Sequence, residues 1–217
     1  ACEVTLNGET VPVVKDGYFT DKAIHTMPLP ALKKGKNELL VKAPIGGRVS
    51  LENYFLLGDF GVRVNGCEAV ITKKPEKLAF GSVVHQGLPF YGANITYQLP
   101  LDVTRDGELV IRSDLYRGAL IGARLDGKEV GRIVLSPYLL KLPDVKKGAH
   151  TLELTLFGTR QNSFGALHNC SHAKWIGPDY WYSGGISWAY EYQLSDMGIL
   201  KSPFIEVYSE KKEEQNA

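Results

Sequence analysis

No stretch of about twelve or more residues in this chain keeps a 3.6-residue apolar period without a glycine or proline interrupting it. Helices of ordinary length are thereby excluded as the main building element. What the chain offers instead is a succession of short segments rich in β-branched and aromatic residues: 3–6, 10–14, 38–42, 60–64, 95–101, 108–111, 119–125, 130–135, 151–157 and 186–192. Turn pairs close many of them, namely Asn7-Gly8, Asp16-Gly17, Asn65-Gly66, Asp106-Gly107 and Asp126-Gly127. The 23 glycines and 11 prolines act as punctuation between strands. Strands this short and this numerous must stack two sheets to bury their apolar faces, so the pattern predicts an all-β protein built as a β-sandwich.

Charge narrows the functional classes. Lys and Arg number 25 against 24 Asp and Glu, a formal charge of +1, which lacks the basic surplus of a nucleic-acid binder. No apolar run approaches the ~18 residues that cross a bilayer as a helix, so no membrane span is expected. Cys2, Cys67 and Cys170 are odd in number and show no C-x-x-C spacing, so neither a disulfide framework nor a zinc cluster is signalled. Free thiols within strands are the expectation. The opening residues, Ala1-Cys2-Glu3-Val4, carry neither the charged nor the apolar region of a signal peptide, so the export signal of an exported parent would lie elsewhere.

An internal repeat organises the chain. Leu6-Asn7-Gly8-Glu9-Thr10-Val11 parallels Leu125-Asp126-Gly127-Lys128-Glu129-Val130, and Lys33-Lys34-Gly35-Lys36-Asn37-Glu38-Leu39 parallels Lys146-Lys147-Gly148-Ala149-His150-Thr151-Leu152. The first pair of strings is offset by 119 residues and the second by 113, a difference that one loop absorbs. The second copy follows a long strand-rich stretch, whereas a hairpin and one further strand cannot form a stable sandwich alone. Residues 1–50 therefore read as the rear half of one sandwich, 51–209 as a complete one and 210–217 as a charged tail, and the chain as the C-terminal piece of a larger protein.

The string Gly118-Ala119-Leu120-Ile121-Gly122-Ala123-Arg124-Leu125-Asp126-Gly127-Lys128-Glu129-Val130-Gly131-Arg132, then Pro137-Tyr138, then residues 145–154, resembles the galactose-binding-like jelly rolls attached to glycoside hydrolases, including the sugar-binding domains of glycoside hydrolase family 2. Residues 4–41 are similar to the same pattern. Residues 51–62 and 86–93 resemble the C-terminal region of large bacterial proteins, rhamnosidase-like ones among them, that join such sandwiches to a catalytic barrel. The resemblance covers residues 1–205 and implies one complete galactose-binding-like jelly roll plus part of a second. It implies a non-catalytic module that flanks a catalytic domain, with glycan and the remainder of the parent enzyme as partners. A secreted or periplasmic location would follow if that parent is an exported polysaccharide-degrading enzyme. The barrel itself would alternate strands with amphipathic helices. This chain has no such alternation.

Aromatic clustering marks the candidate site. Between Phe164 and Tyr192 lie Trp175, Tyr180, Trp181, Tyr182, Trp188 and Tyr190, and all three tryptophans of the chain are among them. Aromatic rings offer flat faces on which the C–H face of a pyranose can stack. Trp175, Trp181, Tyr180 and Tyr182 are the candidate platforms, because glycines and prolines around them predict a loop. Trp188, Tyr190 and Tyr192 alternate at period two and read as one face of a core strand. Arg160, Asn162 and His168 could supply hydrogen bonds to sugar hydroxyls, or could satisfy loop carbonyls instead. His168 and His172 lie four apart, yet the surrounding Gly, Asn and Ser argue against the helix that a metal pair would need, so no metal site is assigned.

A glycosidase needs two facing carboxylates. Glu52 and Asp59 are read as hydrogen-bonding groups at the junction of the two domains, and spacing brings neither together with Asp179 or Glu191. No catalytic residue is therefore assigned. No cofactor is expected, although the acids of 16–21 and 102–106 supply oxygens for a structural calcium. The two alternatives to a glycan-binding module are a purely structural brace for a catalytic domain and a glycosidase in its own right.

Overall fold

The computed structural model describes residues 2–44, 46, 53–170 and 185–208. The chain divides into two compact units, Ala1–Leu57 and Gly58–Ala217. Among the described residues the regular structure of both is almost wholly strand, as the sequence predicts.

The first unit holds β1 (Glu3–Leu6), β2 (Glu9–Val11), β3 (Tyr18–Phe19), β4 (Asp21–His25) and β5 (Leu39–Lys42). β1 lies between β2 and β5 in an antiparallel sheet, with Val4 opposite both Val11 and Val41. Residues directly opposite each other point to the same face. Val4, Leu6 and Val11 are consequently buried together, with Met27, Leu29 and Val41 packed against them. β3 and β4 form a small separate hairpin.

In the second unit, β6 (Gly61–Asn65) and β7 (Glu68–Thr72) form a hairpin, followed by a single 3-10 turn at Val83–Gln86. The Gln86 side chain holds that turn: its Oε1 accepts from Ala79 N–H at 2.7 Å and its amide donates to the Ala79 and Ser82 carbonyls. Then come β8 (Ile95–Val103), β9 (Gly107–Arg112), β10 (Tyr116–Arg117), β11 (Leu120–Leu125), β12 (Lys128–Ile133), β13 (Leu139–Val145), β14 (Gly148–Phe157), the short helix α1 (Gln161–Phe164), β15 (Gly198–Ile199) and β16 (Phe204–Tyr208).

Two antiparallel sheets make the sandwich, one in the order β12-β11-β14-β8 and the other β13-β9-β16. β14 shows why: Leu152, Leu154 and Leu156 are fully buried while Thr151, Glu153 and Thr155 alternate with them. Ile121, Ala123, Ile133, Ile95 and Tyr97 complete that inner face, and Leu109, Ile111, Leu142 and Val145 line the opposing one in the same core. On the outer face Thr96 and Thr155 share a hydroxyl hydrogen bond of 2.9 Å, and Gln98 donates to Glu153 at 3.1 Å.

Both prolines inside strands sit where the ladder tolerates them. Pro100 lies in the edge strand β8, and Pro143 lies in the edge strand β13 within its irregularity between Leu142 and Val145.

Asp106-Gly107 closes β8 and leads into β9, which lies in the opposite sheet, so this turn makes an arch across the core. Two expectations are corrected. The predicted strand at 186–192 is irregular, with one isolated bridge between Asn169 and Trp188. The three cysteines are exposed free thiols outside the strands, Cys67 in the β6–β7 turn.

The sequence repeat is a structural repeat, down to its hydrogen bonds. Asn7 and Gly8 have φ of 52° and 84°, and Asp126 and Gly127 have 50° and 77°, the positive values that a type I′ turn requires. In each copy the turn residue clamps the chain on the far side of the strand it follows, at the start of β5 or within β14. Asn7 N–H donates to Glu38 O and Asn7 Oδ1 accepts from Glu38 N–H; Asp126 does the same with Thr151. Asn37 receives the Asn7 side-chain amide and donates to the Lys33 carbonyl. His150 stands in its place, with Nδ1 2.7 Å from Asp126 Oδ2 and Nε2 2.8 Å from the Lys146 carbonyl. The bond to Asp126 raises the pKa of His150, helped by the Lys146 carbonyl, while the Thr151 amide and then His150 lower that of Asp126.

Candidate functional site

The described part of the candidate site grows from α1 and the irregular segments 165–170 and 185–195. These segments are tied to each other by main-chain bonds: Gln193 N–H to Leu167 O, Ala189 N–H to His168 O, and Cys170 N–H to Ser187 O. Tyr192 N–H donates to Gly66 O at 3.1 Å, anchoring the far end to the β6–β7 turn.

Asn162 is buried, and both ends of its amide are used. Its Nδ2 donates to Ser195 O at 2.7 Å and its Oδ1 accepts from Ser195 N–H at 2.9 Å. The geometry makes it a clip between α1 and the 195 strand of chain. Beside it, Ser163 Oγ donates to Phe90 O at 2.7 Å. Arg160 is exposed, with no partner for its guanidinium among the described residues, and its stem rests near Gly92, where an added Cβ would come within 3.2 Å of Arg160 Cγ.

His168 donates from Nδ1 to Ala189 O at 3.0 Å, which orients its ring. Its ring lies 4.9 Å from Tyr192 and 5.4 Å from Trp188. Trp188 in turn meets Tyr190 edge-on at 4.5 Å, and Phe90 meets Tyr192 edge-on at 5.3 Å. The result is a continuous run of rings, Phe90–Tyr192–His168–Trp188–Tyr190, that is half-buried until Tyr190, which is 73% exposed. Trp188 and its neighbours therefore do not form the buried face of a strand. Phe90 belongs to this run although sequence reasoning does not single it out; its place in the 86–93 segment is the available signal.

Trp175, Tyr180, Trp181 and Tyr182 lie outside the described residues, as do His172, Glu52 and Asp179. Asp59 pairs with Lys74 at 2.5 Å within the second unit. Asp106 is likewise engaged: its carboxylate accepts from Lys147 N–H at 2.7 Å and from Lys146 Nζ at 3.1 Å, which lowers its pKa. Among the described residues no cluster of three or more His, Cys, Asp or Glu could hold a metal ion, and no helix is long and apolar enough to cross a membrane. A cleft on the outer face of β9 and β16, lined by Val110, Arg112, Phe204 and Glu206, measures about 190 Å³, smaller than sites that enclose drug-sized ligands.

Fold and site together define an all-β sandwich protein whose second unit carries a run of half-buried rings ending in exposed Tyr190. No protein-family model matches the sequence, and no curated protein matches it. Among solved structures it is similar to a GH2 beta-galacturonidase from Eisenbergiella tayi bound to glycerol, with a TM-score of 0.36 and 19% identity over 68% of this chain and 22% of that one. It is also similar to a rhamnosidase from Novosphingobium sp. PP1Y, with a TM-score of 0.40 and 20% identity over 94% of this chain and 20% of that one. The chain spans about a fifth of the length of these structures.

Proposed function

We propose that this chain is a non-catalytic β-sandwich module of a glycoside hydrolase, from the C-terminal part of that enzyme, and that it binds or positions glycan by ring stacking and hydroxyl hydrogen bonds. The ring run ending in exposed Tyr190 carries the reading: half-buried rings fix the geometry of a ring that presents its surface to solvent. The exposed Arg160 is one described donor for sugar hydroxyls. The jelly-roll resemblance of 118–154 supplies the class of partner. Residues 1–50 belong, in the same reading, to part of a second sandwich.

Titration with a panel of oligosaccharides, followed by tryptophan emission, tests it. A saturable change that Tyr190→Ala weakens at least about tenfold, and that Tyr18→Ala in the first unit leaves alone, is expected for a stacking residue. A flat response to every glycan at millimolar concentration removes glycan binding. The clipped Asn162 and half-buried rings favour the second reading, a structural brace, and that result would leave it standing. Turnover of aryl glycosides by the purified chain would overturn the non-catalytic assignment.

A further inference from the structure

We infer that the first unit is a receptor for one incoming β-arch, two apolar strands joined by a short acidic turn, which adds to the open edge of β5 and covers the apolar face beside it. The inference rests on reading residues 1–50 as part of a second sandwich, and names the chemistry of what completes it.

The internal repeat gives the template. Alignment of Asn37 with His150 and of Lys33 with Lys146 places Leu32 on Val145, Leu39 on Leu152 and Val41 on Leu154. It also places Leu29-Pro30 on Leu142-Pro143, so residues 26–32 occupy the role of β13. Exposure then differs sharply between copies. Leu152 is 0% and Val145 6% exposed, whereas Leu39 is 45% and Leu32 41% exposed.

The cause lies in what each copy has beside it. In the second unit the outer edge of β14 is filled by β8 and the edge of β13 is filled by β9. In the first unit β5 pairs only with β1 among the described residues, and 26–32 is in no ladder. The two vacant places are those of consecutive strands, β8 and β9, linked by Thr104-Arg105-Asp106. One continuous segment fills both. An open strand edge beside exposed leucines is a template for strand addition.

Charge specifies the turn. Asp106 of the β8–β9 arch is held by Lys146 and by the Lys147 amide, at the Lys-Lys-Gly turn that feeds β14. Lys33-Lys34-Gly35 repeats that turn, and among the described residues neither lysine has a carboxylate partner. The occupant is thus an arch with alternating apolar residues in both strands and Asp or Glu at its bend.

A synthetic peptide of residues 95–112 carries these features and serves as the probe. Added to the full chain, it should slow amide exchange of residues 39–42 about tenfold or more, while exchange in β14 is unchanged. Leu39→Asp should abolish the effect. Since that variant could unfold the first unit, a charge swap provides the second arm: Lys33→Glu with Lys34→Glu weakens the effect, and a peptide with Asp106→Lys restores it. No protection at millimolar peptide, or a charge swap without restoration, overturns the proposal. So does a dimer in sedimentation that protects 39–42 by itself, because the occupant would then be a second copy. The readout lies in the first unit and contains no tryptophan, so its failure is separable from failure of glycan binding.

Discussion

Leu152 and Leu39 occupy the same place in the repeat, and truncating each to alanine should give unequal losses. Leu152 sits opposite Leu125 and Leu99 in adjacent strands and is fully buried. Removing three carbons at about 0.8 kcal/mol each forfeits about 2.4 kcal/mol of transfer energy. The enclosed cavity raises the loss to about 3 kcal/mol or more. Leu39 is 45% exposed, so only about half of the transfer energy is at stake and water fills the gap, for about 1 kcal/mol. Urea unfolding followed by tryptophan emission reads the second unit, because every tryptophan lies beyond residue 170. With a slope of about 2 kcal/mol per molar, Leu152→Ala should move the midpoint down by about 1.5 M. Amide exchange in β1 and β5 reads the Leu39→Ala loss in the first unit. A loss below about 1 kcal/mol at Leu152, or an equal loss at both positions, would refute the assignment of one copy to a closed core and the other to an open face.

The His150–Asp126 pair should make the second unit pH-dependent. The raised His150 contributes fully below its unfolded pKa of about 6.5 and loses its contribution as pH rises through the folded value, whereas the lowered Asp126 contributes above about 4 and fails in acid. Thermal midpoints should thus fall above neutral pH, and His150→Asn should flatten that fall, since Asn37 fills the same place in the first copy with no proton to lose. An unchanged pH profile in the variant counts against the pair. Asn162→Ala leaves both main-chain groups of Ser195 without their buried partner and should cost about 1–3 kcal/mol by urea unfolding, with faster exchange at 193–197; a neutral substitution would deny its role as a clip. Gly107→Ala would bring a Cβ to 2.1 Å from Tyr208 O, so β16 should lose exchange protection and the unit about 1–3 kcal/mol, while a variant with β16 protected would show the approach to be slack.

Local pattern made much of the sandwich legible. β14 alternates buried leucines with polar residues over its length, and Asn-Gly and Asp-Gly mark the two repeat turns, because side-chain period and positive φ are properties of a few neighbouring residues. β13 and β16 were not legible. Pro143 and Pro203 flank or interrupt them, and they exist as strands because β9 lies between them as a template. The alternation of Trp188, Tyr190 and Tyr192 misled for the converse reason: the pattern of a strand is present, but its main-chain partners at Gly66, Leu167 and His168 offer no ladder. The same residues became a ring run only by meeting Phe90 and His168. The clip that Asn162 makes with Ser195 spans 33 residues, a contact that no local pattern carries.

The sequence by itself determined that the chain is all-β, where its tight turns fall, and that one strand-turn-strand unit occurs twice with Lys-Lys-Gly in both copies. Each of these depends on residues close together in the chain. Only the tertiary structure decided how deeply each copy is buried. Leu39 and Leu152 carry the same side chain in the same local frame, yet Leu152 is fully buried opposite Leu125 and Leu99, whereas Leu39 is 45% exposed on a strand that pairs only with β1 among the described residues, because burial depends on neighbours distant in the chain.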